Sequence, residues 1–217
     1  MLAELLTNNR HILQKTNSYL LPHLDKIVDL TRQLEQTAGA DYFESFTRRK
    51  VSKGTYLLCE GAVCRHLWFL EKGLARVFIR TGGDEVIRYF FFPGEPADAH
   101  ASSSTLIPSA EYIQVISDSV VYSLPLQRFE ELKREYPLLA EIDRLVAESY
   151  VTWLEQRHYR LLSLNASKHY RYLLCAQPLL LCNIPLTYIA SYLGISLETL
   201  SRIRAKAPSE AHLEIVS

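Results

Sequence analysis

Apolar positions along the chain change their period twice. In LLPHLDKIVDLTRQLEQ the residues Leu20, Leu24, Ile27, Val28 and Leu34 recur close to every 3.6 positions, which predicts helix, with Gly39 as a stop signal. Residues 1–48 therefore read as a helical segment. From Val51 to Leu126 the pattern shortens. TYLLCEG, HLWFLEKG, LARVFIR, EVIRYFFF, YIQVISD and VVYSLP are rich in β-branched and aromatic residues, and glycines separate them. TGGD at Thr81–Asp84 predicts a two-residue hairpin turn, because adjacent glycines accept the positive φ angles it needs. Short strands at near-even spacing predict an antiparallel sandwich or roll, with Tyr89, Phe90, Phe91 and Phe92 filling its interior.

Helical texture returns at Leu126–Tyr136 and continues from Pro137 to about Leu162. In this longer segment Leu138, Leu139, Ile142, Leu145, Val146 and Trp153 form an apolar stripe opposite Glu141, Asp143, Arg144, Glu148 and Glu155. At 1.5 Å per residue such a helix runs about 35 Å, more than a small domain requires. Its stripe predicts a partner helix, the same helix of a second copy. One last helical block is expected from Ala166 to Leu181.

The segment Ile184–Lys206, IPLTYIASYLGISLETLSRIRAK, carries the most specific local chemistry. Pro185 suits the first turn of a helix, where its missing N–H costs nothing. Ile189 and Leu193 share a face, and Ala190 is small enough for a close crossing. Gly194 supplies the left-handed residue that ends the helix. Ser196 is a good N-cap for a second helix whose buried side is Leu200 and Ile203. Leu197, Glu198, Ser201, Arg202 and Lys206 then face outward. Two helices joined by a tight glycine turn make a helix-turn-helix. Arginine can bond guanine O6 and N7 in bidentate fashion, and a carboxylate can accept from the cytosine amino group.

Charge changes the picture only locally. The whole chain balances 24 Lys and Arg against 24 Asp and Glu across 217 residues. Between Arg157 and Lys206, however, Arg157, Arg160, Lys168, Arg171, Arg202, Arg204 and Lys206 face a single acid, Glu198. That is the electrostatic footprint of a phosphate-binding surface. The N-terminus lacks the pattern of a secretory signal and no apolar run is long enough to span a membrane, so a cytoplasmic location without membrane contact is expected. Cys59, Cys64, Cys175 and Cys182 show no CxxC spacing, which predicts reduced, mostly packed thiols and no metal or other cofactor. Ser102, Ser103 and Ser104 read as a polar loop with no base nearby. No catalytic constellation stands out, and an enzyme is not expected. His158 and His169 sit among basic residues, where phosphate contact competes with a plain surface role.

Together, KGTYLLCEG, HLWFLEKGLARVF, FFPGE, the long helix and PLTYIASYLGISLETLSRIR resemble the Crp/Fnr family of bacterial transcription regulators, from about Lys53 to Lys206. The resemblance implies an α+β fold: an antiparallel β-roll of cyclic-nucleotide-binding type with flanking helices, a long dimerisation helix and an all-α, reduced winged helix-turn-helix. The corresponding segments are 1–48, 49–136, 137–162 and 163–217. It also implies a homodimer whose recognition helices enter successive major grooves of double-stranded DNA at near-palindromic operators, with RNA polymerase as a further partner. Glu198, Ser201 and Arg202 are similar to the E-x-x-S-R arrangement of the Fnr branch, which implies a half-site related to TTGA. The expected DNA-contacting set is Ser196, Leu197, Glu198, Ser201, Arg202, Arg204 and Lys206, with Lys168 and Arg171.

Two departures qualify the likeness. Gly94 and Glu95 match the cyclic-nucleotide pattern, but the Arg-Ser/Thr pair that holds the phosphate is replaced by Pro108-Ser109. From Tyr89 to Gln127 there is no Lys or Arg, while Glu95, Asp98, Glu111 and Asp118 are acidic. Losing a guanidinium removes charge-assisted hydrogen bonds of about 1.5–3 kcal/mol each, so cyclic AMP is not the expected effector. Backbone N–H groups at Ala97–Ala99 could hold a weaker anion. The candidate effector site is Gly94, Glu95, Ala97, Pro108 and Ser109, for an unknown small molecule or none, hydrophobic or weakly polar if the roll leaves an apolar pocket. Only Ala207–Ser217 follow the second helix, which predicts a shortened or missing wing. Two alternatives stand beside this picture. One is a regulatory or protein-interaction module that does not bind DNA. The other is a metal-dependent enzyme on a cupin-like roll, for which His66 and His100 are too few and too far apart.

Overall fold

The structure, a computed structural model, describes residues 1–206; the expected loss of the wing concerns 207–217 and lies outside them. Helices α1 (Leu2–Asn8), α2 (Arg10–Lys15), α3 (Leu24–Thr37) and α4 (Ala40–Glu44) form the N-terminal segment. Strands follow as β1 (Thr47–Val51), β2 (Tyr56–Leu58), β3 (His66–Lys72), β4 (Ala75–Thr81), β5 (Asp84–Phe91) and β6 (Pro96–Ala97). After α5 (His100–Thr105) come β7 (Tyr112–Val115) and β8 (Ser119–Pro125). The rest is helical: α6 (Leu126–Glu135), α7 (Pro137–Ser163), α8 (Ala166–Ala176), α9 (Pro178–Asn183), α10 (Leu186–Leu193) and α11 (Leu197–Lys206).

The strands pair antiparallel in two four-stranded sheets, β1-β8-β3-β6 and β2-β7-β4-β5. Leu70, Ala75, Val77, Phe91, Ile113 and Val121 are among the residues closing the space between them. Thr81 pairs with Asp84 across Gly82 and Gly83, which have φ of 60° and 90°, so the TGGD turn forms as expected.

Several elements differ from the sequence pattern for identifiable reasons. Strand β1, TRRKV, begins inside the expected helical segment; it is a solvated edge strand whose charged side chains hide it from any hydrophobic period. The serine run lies on helix α5 rather than in a loop. The block expected from Ala166 to Leu181 is two helices, because Pro178 has no N–H to continue the first and starts the second. Pro185 caps α10 instead of entering its first turn. Cys64 is buried, but Cys59, Cys175 and Cys182 are exposed, so most of the thiols are not packed.

Two corrections bear on function. First, the stripe of α7 that predicts a partner helix is covered by its own chain. Leu145 and Trp153, with Ile142 and Val146, pack on Leu6, Leu20, Ile27 and Val28, and Leu139 joins Leu34 and Leu132. What α7 leaves open is another set: Val151, Leu161 and, at 75% exposure, Leu162, with Tyr159. Second, strand alternation divides the aromatic run. Phe91 faces the roll interior, whereas Phe90 and Phe92 face outward and are buried beneath Tyr170, Ile189, Tyr192 and Leu193 of the C-terminal helices.

Candidate functional site

Helix α10 ends at Gly194, whose φ of 69° lets the chain reverse; Ile195 N then donates to Ala190 O at 3.0 Å. The Ser196 hydroxyl accepts from Thr199 N at 3.1 Å and caps α11. Leu200 is completely buried and Ile203 packs beside it, which fixes which side of α11 turns inward. Ser196, Leu197, Glu198, Ser201, Arg202 and Lys206 are exposed, and Arg204 is half-buried. Arg202 Nη2 lies 3.7 Å from Glu198 Oε1, with the two side chains 67% and 82% exposed. An ion pair that open is worth little and separates at small cost when a better partner approaches.

Lys168 and Arg171 are exposed on α8, which packs against α11. Arg157 does not belong to this surface. Its guanidinium is drawn into the protein over the Tyr192 ring, so one of the seven basic side chains counted in the sequence is unavailable to phosphate. His169 is buried and also unavailable; burial, reinforced by Arg157 and Arg160, lowers it to about 4. His158 is exposed.

The helix-turn-helix is anchored on the roll. Ser191 Oγ accepts from Ile87 N at 3.0 Å and donates to Glu85 O at 2.7 Å, satisfying both groups on the edge strand β5. Arg76 lies between two rings, 4.1 Å from Phe78 and 4.3 Å from Tyr188. Sequence reasoning missed these contacts, because strand and helix are about a hundred residues apart.

A cavity of about 560 Å³ separates the roll from α7. Glu95 is fully buried, accepting from Tyr89 Oη at 2.7 Å and from Phe92 N at 2.9 Å. Burial raises its carboxyl to about 7, against the hydrogen bonds it accepts. Gly94, at φ 93°, is seated under helix α2; a Cβ there would stand 3.2 Å from that of Asn9. Ala97 is buried and paired with Trp68. The Asp98 carboxylate takes the Ser103 hydroxyl and lies 3.9 Å from His100 Nδ1, so an acid stands where the Ala97–Ala99 backbone was expected to receive an anion. Pro108 is exposed, and the buried Ser109 hydroxyl is used by its own loop, bonding Glu111 N at 3.0 Å and Glu111 O at 3.1 Å.

A family profile, the cyclic nucleotide-binding domain, matches residues 48–136. Similar solved structures include a double mutant of CooA from Carboxydothermus hydrogenoformans, with a TM-score of 0.64 and 15% identity, covering 81% of this chain and 82% of that one. A protein from Eubacterium rectale assigned to the Crp/Fnr transcriptional regulators gives 0.64 at 17% identity over 78% and 83%. FixK2 from Bradyrhizobium japonicum gives 0.61 at 18% identity over 74% and 83%. No curated protein matches the chain in sequence. The chain has the Crp/Fnr fold.

Within that Crp/Fnr fold the pocket holds cations absent from the sequence expectation: Lys133 and Arg157 line it from the helices, and Arg88 lines it from the roll. Val77 pairs with Tyr89 and Phe78 with Ile87, which leaves Arg88 as the extra residue of a β-bulge. Bulges re-aim side chains, and this one brings Arg88 to the cavity, where it pairs with Glu111. The signal was present in EVIRYFFF, whose apolar residues break strict alternation around the arginine. Burial raises Asp98 and Glu111, favouring their protonated forms, and the Arg88 guanidinium is already engaged by Glu111. Among the described residues no group of three or more His, Cys, Asp or Glu could hold a metal ion, and no helix is long and apolar enough to cross a membrane.

Proposed function

We propose that this chain is a sequence-specific, DNA-binding transcription regulator of Crp/Fnr type. It acts in the cytoplasm as a homodimer on near-palindromic operators, contacts RNA polymerase as the family likeness implies, and carries a degenerate effector pocket that takes an unknown small molecule or none, and not cyclic AMP. The observation that carries this is the exposed face of α11, where Glu198, Ser201 and Arg202 face solvent while Leu200 locks the opposite side. Carboxylate and guanidinium one helical turn apart suit adjacent base edges in a major groove. The similarity to an assigned Crp/Fnr transcriptional regulator supports the same reading.

Dimerisation is drawn from the outer side of α7. Val151, Leu154, His158 and Leu161 repeat at alternating spacings of three and four, the spacing of a coiled-coil seam; Val151 and Leu161 are exposed in the single chain, and Leu154 packs partly on the N-terminal cluster. This replaces the stripe that the N-terminal helices cover. Selection from a random duplex pool tests the proposal: a two-fold motif with half-sites about one helical turn apart, related to TTGA, is expected. Recovery of no motif would favour a module that contacts proteins through this helix pair.

A further inference from the structure

Arg157 is a cation on the wall of the cavity without an anion to match it. Its Nη2 donates to the Tyr192 carbonyl at 3.2 Å, and its Cζ lies 3.8 Å from the centroid of the Tyr192 ring. No carboxylate pairs with it among the described residues. The charged side chains that bear on it are Arg160 and Arg88; burial and these two cations lower its pKa, yet an arginine keeps its proton. Nε and Nη1 have no partner among the described residues and, in this half-buried side chain, keep open surface that a ligand oxygen can reach. A guanidinium has five N–H donors, so most of the capacity of this one is unused. An unmatched charge drawn into the protein is a standing cost that a bound anion removes.

The other charged groups of the cavity have partners. Glu111 holds Arg88, and Lys133 lies 2.8 Å from both Asp143 and Glu130. Asp98 takes the Ser103 hydroxyl and lies 3.9 Å from His100 Nδ1. Burial shifts Asp98 and Glu111 toward their neutral forms, which weakens their opposition to an anion. The space, about 560 Å³ with mainly apolar walls, falls in the size range of small-molecule sites. Trp153, its ring 5.9 Å from the Arg157 guanidinium, meets Tyr89 edge-on at 4.8 Å and lies nearly parallel to Tyr150 at 5.9 Å. Such walls would leave the polar groups of a sugar or nucleobase unpaired, so the body they suit is hydrocarbon. We infer that this cavity binds a monocarboxylate with an apolar body, the carboxylate seated on the unused Arg157 donors and the body among the rings of Tyr89, Tyr150 and Trp153. Two coplanar oxygens match the guanidinium fork, and a single negative charge answers the charge of Arg157. The inference rests on the sensor reading of this pocket, but not on DNA binding, which its test does not use.

The test is calorimetry on the full chain at about pH 7.5, where a carboxylic acid is ionised. The probes are 2-naphthoate and octanoate, with 2-acetylnaphthalene and 1-octanol as their neutral counterparts. At least one carboxylate should bind saturably and about tenfold more tightly than its counterpart, the equivalent of about 1.4 kcal/mol. Which of the two binds tells whether the body is aromatic or aliphatic. The Arg157 Nε–H resonance, identified by its loss in Arg157→Met, should move saturably with that carboxylate. Arg157→Met should bring the carboxylate down to the level of its neutral counterpart. If that variant does not fold, Arg157→Lys, which keeps the charge but not the fork, should weaken the carboxylate more than its counterpart. Full carboxylate affinity in a folded Arg157→Met overturns the inference. Equal affinity for carboxylate and counterpart also overturns it, while leaving the cavity a small-molecule site. Binding of none of the four overturns it together with the sensor reading. None of these results bears on whether α11 reads DNA.

Discussion

The guanidinium of Arg157 lies 3.8 Å above the ring of Tyr192 and donates to the carbonyl of that residue at 3.2 Å. The same guanidinium approaches Trp153 at 5.9 Å, so one side chain joins the wall of the cavity to the first helix of the helix-turn-helix. Arg157→Met keeps most of the stem but loses the charge and the donor. A loss of about 1–3 kcal/mol of stability is expected in urea unfolding, from the hydrogen bond and the cation–π contact together. No change in the unfolding midpoint would show that the contact is incidental.

Ser191 makes a second tie of a different kind. Ser191→Ala leaves Ile87 N without its side-chain acceptor and Glu85 O without its donor. Hydrogen exchange of the Ile87 amide should accelerate at least tenfold, as expected for about 1.5 kcal/mol of lost protection. Unaltered exchange at that amide would mean that the helices are held by their apolar contacts alone.

His169 gives a pH signature. Burial, then Arg157 and Arg160, hold it at about 4, below the ordinary imidazole value of 6.5. The unfolded chain therefore takes up a proton near pH 6.5 that the native state refuses until about pH 4, and stability is lost as pH falls through that window. Relative to His169→Gln, the native protein should lose about 2 kcal/mol between pH 6.5 and 4 and nothing further above pH 7. A constant difference across this range would contradict the assignment. Other acids titrate in both proteins and cancel in the comparison.

Cyclic AMP should produce no saturable heat in calorimetry at micromolar concentration. Glu95 is occupied by Tyr89 and Phe92, Ser109 by its own loop, and Arg88 by Glu111, so the phosphate would displace an ion pair beside buried acids. Micromolar binding would show that Arg88 exchanges Glu111 for phosphate.

How much of this was legible in the chain depended on the range of the interaction. The hairpin at Gly82-Gly83, the reversal at Gly194, the cap at Ser196 and the burial of Leu200 are set within a few residues, and the sequence pattern placed each of them. Strand β1 was hidden because an edge facing water needs no apolar alternation. The α7 stripe was read as intermolecular because periodicity reports that a face is covered, not what covers it; here the N-terminal helices do. Arg88 was overlooked because a bulge breaks the alternation from which side-chain direction is inferred. Phe90 and Phe92 looked like roll interior because the helices that bury them lie about a hundred residues away.

The central claim is that α11 reads bases through Glu198 and Arg202 while Lys206 only neutralises phosphate. Affinities measured across every single-base variant of the selected operator, for the wild-type chain, Arg202→Ala and Lys206→Ala, test it most directly. Arg202→Ala should flatten discrimination at one position of each half-site by about 1–3 kcal/mol and leave other positions unchanged. Lys206→Ala should weaken all duplexes alike and reduce the salt slope by about 0.9 per site. Equal losses on operator and random DNA for Arg202→Ala would contradict the account.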